Sequence, residues 1–180
     1  MPTAAGAGCP PRWFSRRGFA RVPLVKPHAL LIAADHAGFE LKERIKELLA
    51  ARGLAFTDLG TGSRDPVDYP DYARRVAEAV SRGDAERGVL VCGTGQGMAM
   101  AANRYPRVRA AVPYSEETAR LCREHNDANI LALGGGTLDP ALAERILALW
   151  LDTPFAGGRH ARRVEKIDGR EQAPSAERPA

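Results

Sequence analysis

Cysteine is scarce in this chain: three in 180 residues, Cys9, Cys92 and Cys122. So few thiols, so far apart, do not make a disulfide framework, and a reducing, cytoplasmic setting is expected. Long apolar runs are missing too. No stretch approaches the roughly 20 residues of a membrane helix, so no membrane partner is expected. The first residues contain no apolar core of signal-peptide length. Acid is absent from residues 1–28, which carry Arg12, Arg16, Arg17, Arg21 and Lys26. Transit peptides share that composition, but prolines at positions 2, 10, 11, 23 and 27 disfavour an amphipathic helix. A variable or disordered extension is the expectation. Setting those five aside leaves 21 basic residues against 22 acidic. The formal charge of +4 therefore belongs to the extension, and nucleic acid is not an expected partner. There is no internal repeat and no sign of a second core. What is left is enough for one domain with a sizeable interior.

The chain is organised around one stretch, residues 88–103. Val89 to Val91 is a short apolar run of the kind found in buried parallel strands. Cys92-Gly93-Thr94-Gly95-Gln96-Gly97 alternates glycine with small polar residues, and Met98 to Asn103 starts a helix. Further strands are expected at residues 28–34, 55–59, 107–112 and 129–133. Helices are expected at 39–52, 72–82, 115–124 and 139–151, with a short one at 165–171. On the first helix Leu41, Ile45, Leu48 and Leu49 share a face, Glu40 and Arg44 stand one turn apart, and Gly53 is a stop. Ser115 is an expected N-cap, with Glu116 and Glu117 in the first turn. Five strands alternating with helices predict an α/β domain: a parallel sheet covered on both faces, joined by right-handed crossovers. Its expected span is 29–170, with a frayed tail at 171–180.

The reactive side chains cluster next to strand ends, where open α/β sheets bind ligands. Asp35-His36 follows the first strand, and Asp68-Tyr69 lies in the loop after the second. The glycine loop follows the third, and Gly134-Gly135-Gly136 follows the fifth. His125-Asn126-Asp127 precedes the fifth. Cys92 alone reads as a buried, inert thiol. The loop after it changes that reading, because a helix start stabilises negative charge and lowers thiol pKa values. The phosphate loops known for such places do not fit. Six residues after Cys92 stands Met98 rather than the arginine of a tyrosine phosphatase, no Gly-Lys-Ser/Thr is present, and no G-x-G-x-x-G can be aligned. Asp35, His36, Cys92 and His125 offer no recognisable zinc spacing, so no metal is expected. Arg159 and Arg163 stand one helical turn apart in a basic segment and could clamp a phosphate.

Taken in order, Asp35-His36-Ala37-Gly38, Asp68-Tyr69-Pro70-x-Tyr72, Cys92-Gly93-Thr94-Gly95-x-Gly97, Ala101-Ala102-Asn103, His125-Asn126-Asp127-x-Asn129 and Gly157-Gly158-Arg159-His160-x-x-Arg163 resemble the type B ribose-5-phosphate isomerases, relatives of the galactose-6-phosphate isomerase subunits. The resemblance covers about residues 29–170. It implies a Rossmann-like three-layer α/β/α sandwich, a homodimer with shared sites that often pairs into tetramers, and no metal or organic cofactor. The implied activity interconverts ribose 5-phosphate and ribulose 5-phosphate. By resemblance Cys92 is the base, His125 the acid that opens the furanose ring, and Thr94 and Asp35 further polar or proton-transfer groups. His36, Arg159 and Arg163 are implied phosphate ligands, the arginines reaching in from a partner subunit. Asn126 is an implied hydroxyl ligand, the amides of Gly93, Gly95 and Gly97 line an anion hole, and Tyr69 binds substrate. Where one branch of the family has a glutamate base, this chain has Met98. Where the family usually has a phosphate-binding arginine, it has Gly136, so another sugar phosphate, such as allose or galactose 6-phosphate, is an open alternative. A non-catalytic sugar-phosphate binder is a third reading, which the intact Cys92, Thr94 and His125 disfavour.

Overall fold

A computed structural model describes residues 30–169. The N-terminal extension, Cys9, His28 and the tail from 171 lie outside the described residues. Five strands, β1 (Leu30–Ala34), β2 (Phe56–Asp58), β3 (Arg87–Cys92), β4 (Ala110–Ala111) and β5 (Ile130–Gly134), alternate with α1 (Phe39–Ala51), α2 (Tyr69–Arg82), α3 (Gln96–Ala102), α4 (Glu116–Asn126) and α5 (Pro140–Asp152). A last helix, α6 (Arg159–Ile167), follows. The sheet is parallel throughout, in the order β2-β1-β3-β5-β4. This is the expected three-layer α/β/α sandwich. From β1 the chain moves outward to β2, then returns across β1 to β3. The carboxyl ends of β1 and β3 therefore flank the switch point at which such sheets bind ligands.

Alternation along the strands divides the interior into two layers. Leu31, Ala33, Leu90, Cys92 and Ile130 pack against α2 and α3 through Val76, Ala77, Val80 and Met98. Ile32, Val89, Val91, Leu131 and Leu133 pack against α1, α4 and α5 through Ile45, Leu49, Ala119, Ile146 and Trp150. Lys42 on α1 is buried, and its Nζ meets Asp58 Oδ2 at 2.5 Å. Burial pushes the Asp58 carboxyl up, but hydrogen bonds from Lys42, Lys46 and the Gly60 N–H outweigh it and hold it below the usual carboxylate range.

Several boundaries differ from expectation for visible reasons. Helix α2 opens at Tyr69, three residues early, because Asp68 is extended and Pro70 fits a first turn. So Tyr69 is helical, not part of a loop. The fourth strand has two residues, not six, because Arg107 sits at φ 64° and the chain reaches the sheet only at Ala110. Helix α4 runs on to Asn126, with Asp127 left-handed at its end, so His125 and Asn126 form its last turn. Helix α6 begins at Arg159 rather than 165, since Gly157 and Gly158 (φ 63° and 55°) turn the chain into it. Arg44 reaches across to Glu144 of α5, and Glu40 pairs with Arg64, in place of an Arg44–Glu40 pair. Ser115 caps α4 as expected, accepting from the Thr118 N–H.

Candidate active site

At the carboxyl edge, the turn after β1 is held by Asp35, whose buried carboxylate accepts the Gly38 N–H at 2.8 Å. An ideal Cβ on Gly38 would lie 2.3 Å from the Val91 carbonyl oxygen, so only glycine lets this turn lie against the end of β3. His36, beside it, is exposed, and its Nδ1 accepts the Val67 N–H at 3.2 Å. Cys92 ends β3 with its sulfur toward the α2/α3 layer, 5% exposed, beneath the glycine loop. Gly95 is left-handed (φ 77°), a conformation that costs glycine little, and this aims its N–H at Cys92 Sγ, 3.2 Å away. Thr94 is exposed above the sulfur, and its Oγ1 accepts the Gln96 N–H at 3.4 Å. Helix α3 starts here, so the N–H groups of Gln96, Gly97 and Met98 have no acceptor within the helix. Met98 itself is buried in the core. Gly97 lies under the Tyr69 ring, with an ideal Cβ only 2.7 Å from Tyr69 Cε2. The second glycine loop is laced to the first: Gly135 N–H donates to Cys92 O at 2.7 Å and Gly136 N–H to Gly93 O at 2.9 Å. Asp35, His36, Tyr69, Cys92, Thr94, Gly93, Gly95 and Gly97 are thus gathered at the switch point.

His125, Asn126, Arg159 and Arg163 are not with them. Helix α4 runs against the strands, so its last turn lies at the amino edge of the sheet. In register, Cys92 stands beside Gly134 and Gly88 beside Ile130, and His125 precedes Ile130. The length of β5 alone, about 13 Å at the usual rise, separates the two edges. The expected constellation of Cys92 with His125 is therefore not formed within one chain. The sequence held the signal for this: residues just before a parallel strand lie at the edge opposite those just after one.

The amino-edge group has its own order. His125 stacks on His160 of α6, with ring centroids 4.2 Å apart and planes at 5°. Arg159 and Arg163 are exposed on α6, one turn apart. Burial, with the neighbouring His125, Arg159 and Arg163, lowers the His160 pKa below the ordinary histidine value. Arg109, which the residue types alone did not single out, ties this group together. Its Nη1 meets both carboxylate oxygens of Asp168 at 3.0 Å, Nη2 meets Asp127 Oδ2 at 2.9 Å, and Nε donates to the carbonyls of Asn126 and Asp127. Arg123 adds a bond to Asp127 Oδ1 at 2.8 Å. The end of α4 and the end of α6 are thus clamped to one guanidinium. A cavity of about 640 Å³ lies at this same edge, lined by Tyr105, Arg107, Arg109, Asn126 and Ile167 among others; it is not at Cys92.

A thiol under a glycine loop at the switch point of a parallel sheet stands where such folds bind small molecules. Residues 30–167 match the model of the Ribose/Galactose Isomerase family. Ribose-5-phosphate isomerase B of Escherichia coli (strain K12) is 43% identical over 143 residues, 79% of this chain and 96% of that protein. A crystal structure of a ribose 5-phosphate isomerase from Thermotoga maritima matches with TM-score 0.76 and 49% identity over 79% of this chain and 98% of that one. Ribose-5-phosphate isomerase B from Mycoplasma genitalium, solved with bound ribulose-5-phosphate, matches with TM-score 0.76 and 39% identity over 79% of this chain and 95% of that one. The chain belongs to the Ribose/Galactose Isomerase family, and is an aldose–ketose isomerase of its type B branch.

Proposed function

We propose that this isomerase interconverts ribose 5-phosphate and ribulose 5-phosphate through an enediolate, at sites shared between two copies of the chain. The observation that carries the reading is the meeting of Asp35, His36 and Cys92 at the switch point, with the Gly95 N–H directed at the sulfur. His125 protonates the ring oxygen as the furanose opens. Cys92, as thiolate, takes the proton from C2 of the aldose and returns it to C1. The charge that develops on the oxygens meets the amides of the Gly93–Gly97 loop; one such donor contributes about 3–4 kcal/mol where an oxyanion forms. Thr94 and Asp35 orient or relay protons at the hydroxyls, Tyr69 closes the sugar site against Gly97, and Asn126 binds a hydroxyl.

His36 supplies one phosphate donor, and Arg159 and Arg163 supply planar forks. Because those arginines stand at the amino edge with His125, a second copy must bring its amino-edge group to this chain's Cys92. A homodimer is the smallest assembly that does so, and by symmetry it makes two equal sites. A reducing cytoplasm suits a mechanism that needs a free thiol.

A second reading, an aldose–ketose isomerase of a six-carbon sugar phosphate, is favoured by Gly136. It stands against Gly93 O with no side chain, leaving room and one cation fewer beside the loop. Kinetics with ribose, allose and galactose phosphates separate the two. The proton transfer is tested by NMR in deuterium oxide. The wild type exchanges solvent deuterium into ribose 5-phosphate, whereas Cys92→Ala binds the sugar and exchanges none. Retention of more than a few per cent of turnover by Cys92→Ala refutes the assignment.

A further inference from the structure

We propose that His160 is a positioning residue for His125: it fixes the His125 ring by stacking and remains the uncharged member of the pair, so that His125 alone carries the proton. The inference rests on the reading of His125 as the ring-opening acid. The two imidazoles come from different elements, the last turn of α4 and the first turn of α6. Their near-parallel stacking at 4.2 Å and 5° leaves the His125 ring one tilt. The approach is built into the backbone. Ala156 N–H donates to Glu124 O at 3.1 Å, which lays the chain before α6 on the end of α4, and His160 N–H donates to Gly157 O at 3.0 Å.

His160 is the enclosed ring, 8% exposed, while His125 is open to one side. Arg159 Nε–H donates to His160 Nε2 at 3.4 Å. A ring nitrogen that accepts a hydrogen bond carries no proton, so this contact selects the neutral ring with its hydrogen on Nδ1. The charged and titratable groups that face the pair are Glu124 from α4 and Arg159 and Arg163 from α6, a net positive surround that disfavours a second proton. Two stacked imidazolium rings would repel each other. With His160 kept neutral, His125 can be protonated, and its proton is directed along a fixed ring plane.

The test separates ring chemistry from proton transfer. Ribose 5-phosphate is a closed ring, whereas ribulose 5-phosphate, phosphorylated at C5, cannot close a furanose and reaches the enediolate with no ring step. In deuterium oxide the enzyme can therefore exchange the C1 hydrogen of ribulose 5-phosphate without closing the aldose ring. With His160→Ala, kcat/KM for net turnover, which the equilibrium constant ties together in the two directions, is expected to fall at least about tenfold, and C1 exchange into ribulose 5-phosphate, followed by NMR, less than about threefold. His160→Phe restores a flat stacking face without a titrating nitrogen, and is expected to recover most of the lost turnover. It also serves if His160→Ala fails to fold. Equal losses of turnover and exchange, no loss with His160→Ala, or no recovery with His160→Phe overturn the proposal. His125→Asn is measured alongside. If it loses turnover more than exchange and the His160 variants do not, positioning fails alone. If it loses both equally, the ring-opening reading fails and takes the positioning with it.

Discussion

Gly38→Ala tests whether the turn that carries Asp35 and His36 is packed on the strand that carries Cys92. The added Cβ would lie 2.3 Å from Val91 O, 2.5 Å from Val91 C and 2.9 Å from Cys92 N. All three are backbone atoms, so no side chain can rotate away. The turn can only move if the end of β1 parts from β3, where Ala34 stands in register with Val91. Overpacking of a tight interior costs about 1–3 kcal/mol. A clash with backbone belongs at the upper end, about 3 kcal/mol, which for a domain of this size lowers Tm by roughly 10 °C. The same movement separates Asp35 from Cys92, so kcat/KM should fall further than the folded fraction does. Differential scanning calorimetry and steady-state kinetics measure the two effects. Gly62→Ala is the control: nothing lies within 4 Å of its Cβ, and it should change neither. A Tm within about 2 °C of wild type, with kcat/KM intact, would refute the packing argument.

Other outcomes follow from the amino edge and the loops. Arg109→Met should cost about 3 kcal/mol by removing a charged partner shared by Asp127 and the nearly buried Asp168, and Arg109→Lys should not rescue it, because an ammonium cannot match a fork that serves two carboxylates; chemical denaturation measures both. Gly136→Arg should lower KM for a phosphorylated pentose several-fold with little change in kcat, since its Cβ meets Gly93 O at a tight but bearable 3.2 Å and the guanidinium adds a phosphate donor. The lowered pKa of His160 means that the unfolded chain takes up a proton that the folded chain resists, so stability is full above about pH 6.5 and declines as pH falls through that value. Thermal melts between pH 7.5 and 5.5 should show that decline, and His160→Phe should flatten it.

The strand-and-helix alternation was legible because it depends on local pattern. Val89 to Val91 and Ile130 to Leu133 are apolar on both faces, as only a covered parallel sheet requires. Leu41, Ile45 and Leu49 give α1 one buried face. The glycine loop after Cys92 was legible for the same reason, since its spacing reports a turn that no bulkier residue fits. Less legible were features set by partners distant in sequence. Arg109 reads as one more surface arginine until Asp127 and Asp168 come to it, 18 and 59 positions away. The stack of His125 on His160 needs α6 to begin at Arg159, which two left-handed glycines arrange. Arg44 turned from a neighbour on its own helix to Glu144 because α5 packs alongside. The separation of His125 from Cys92 follows from strand direction; the motifs alone do not carry it, but their places before and after parallel strands do.

Subunit complementation tests most directly whether two copies of the chain share each site. Cys92→Ala lacks the base, and the double variant Arg159→Ala/Arg163→Ala lacks the phosphate forks; each should be inactive alone. Unfolded together and refolded at equal concentration, half of the dimers are mixed, and one of the two sites in each mixed dimer draws an intact Cys92 from one chain and intact arginines from the other. Activity should return to about one quarter of wild type. No recovery, with mixed dimers demonstrated by mass spectrometry, would contradict a site built from both chains.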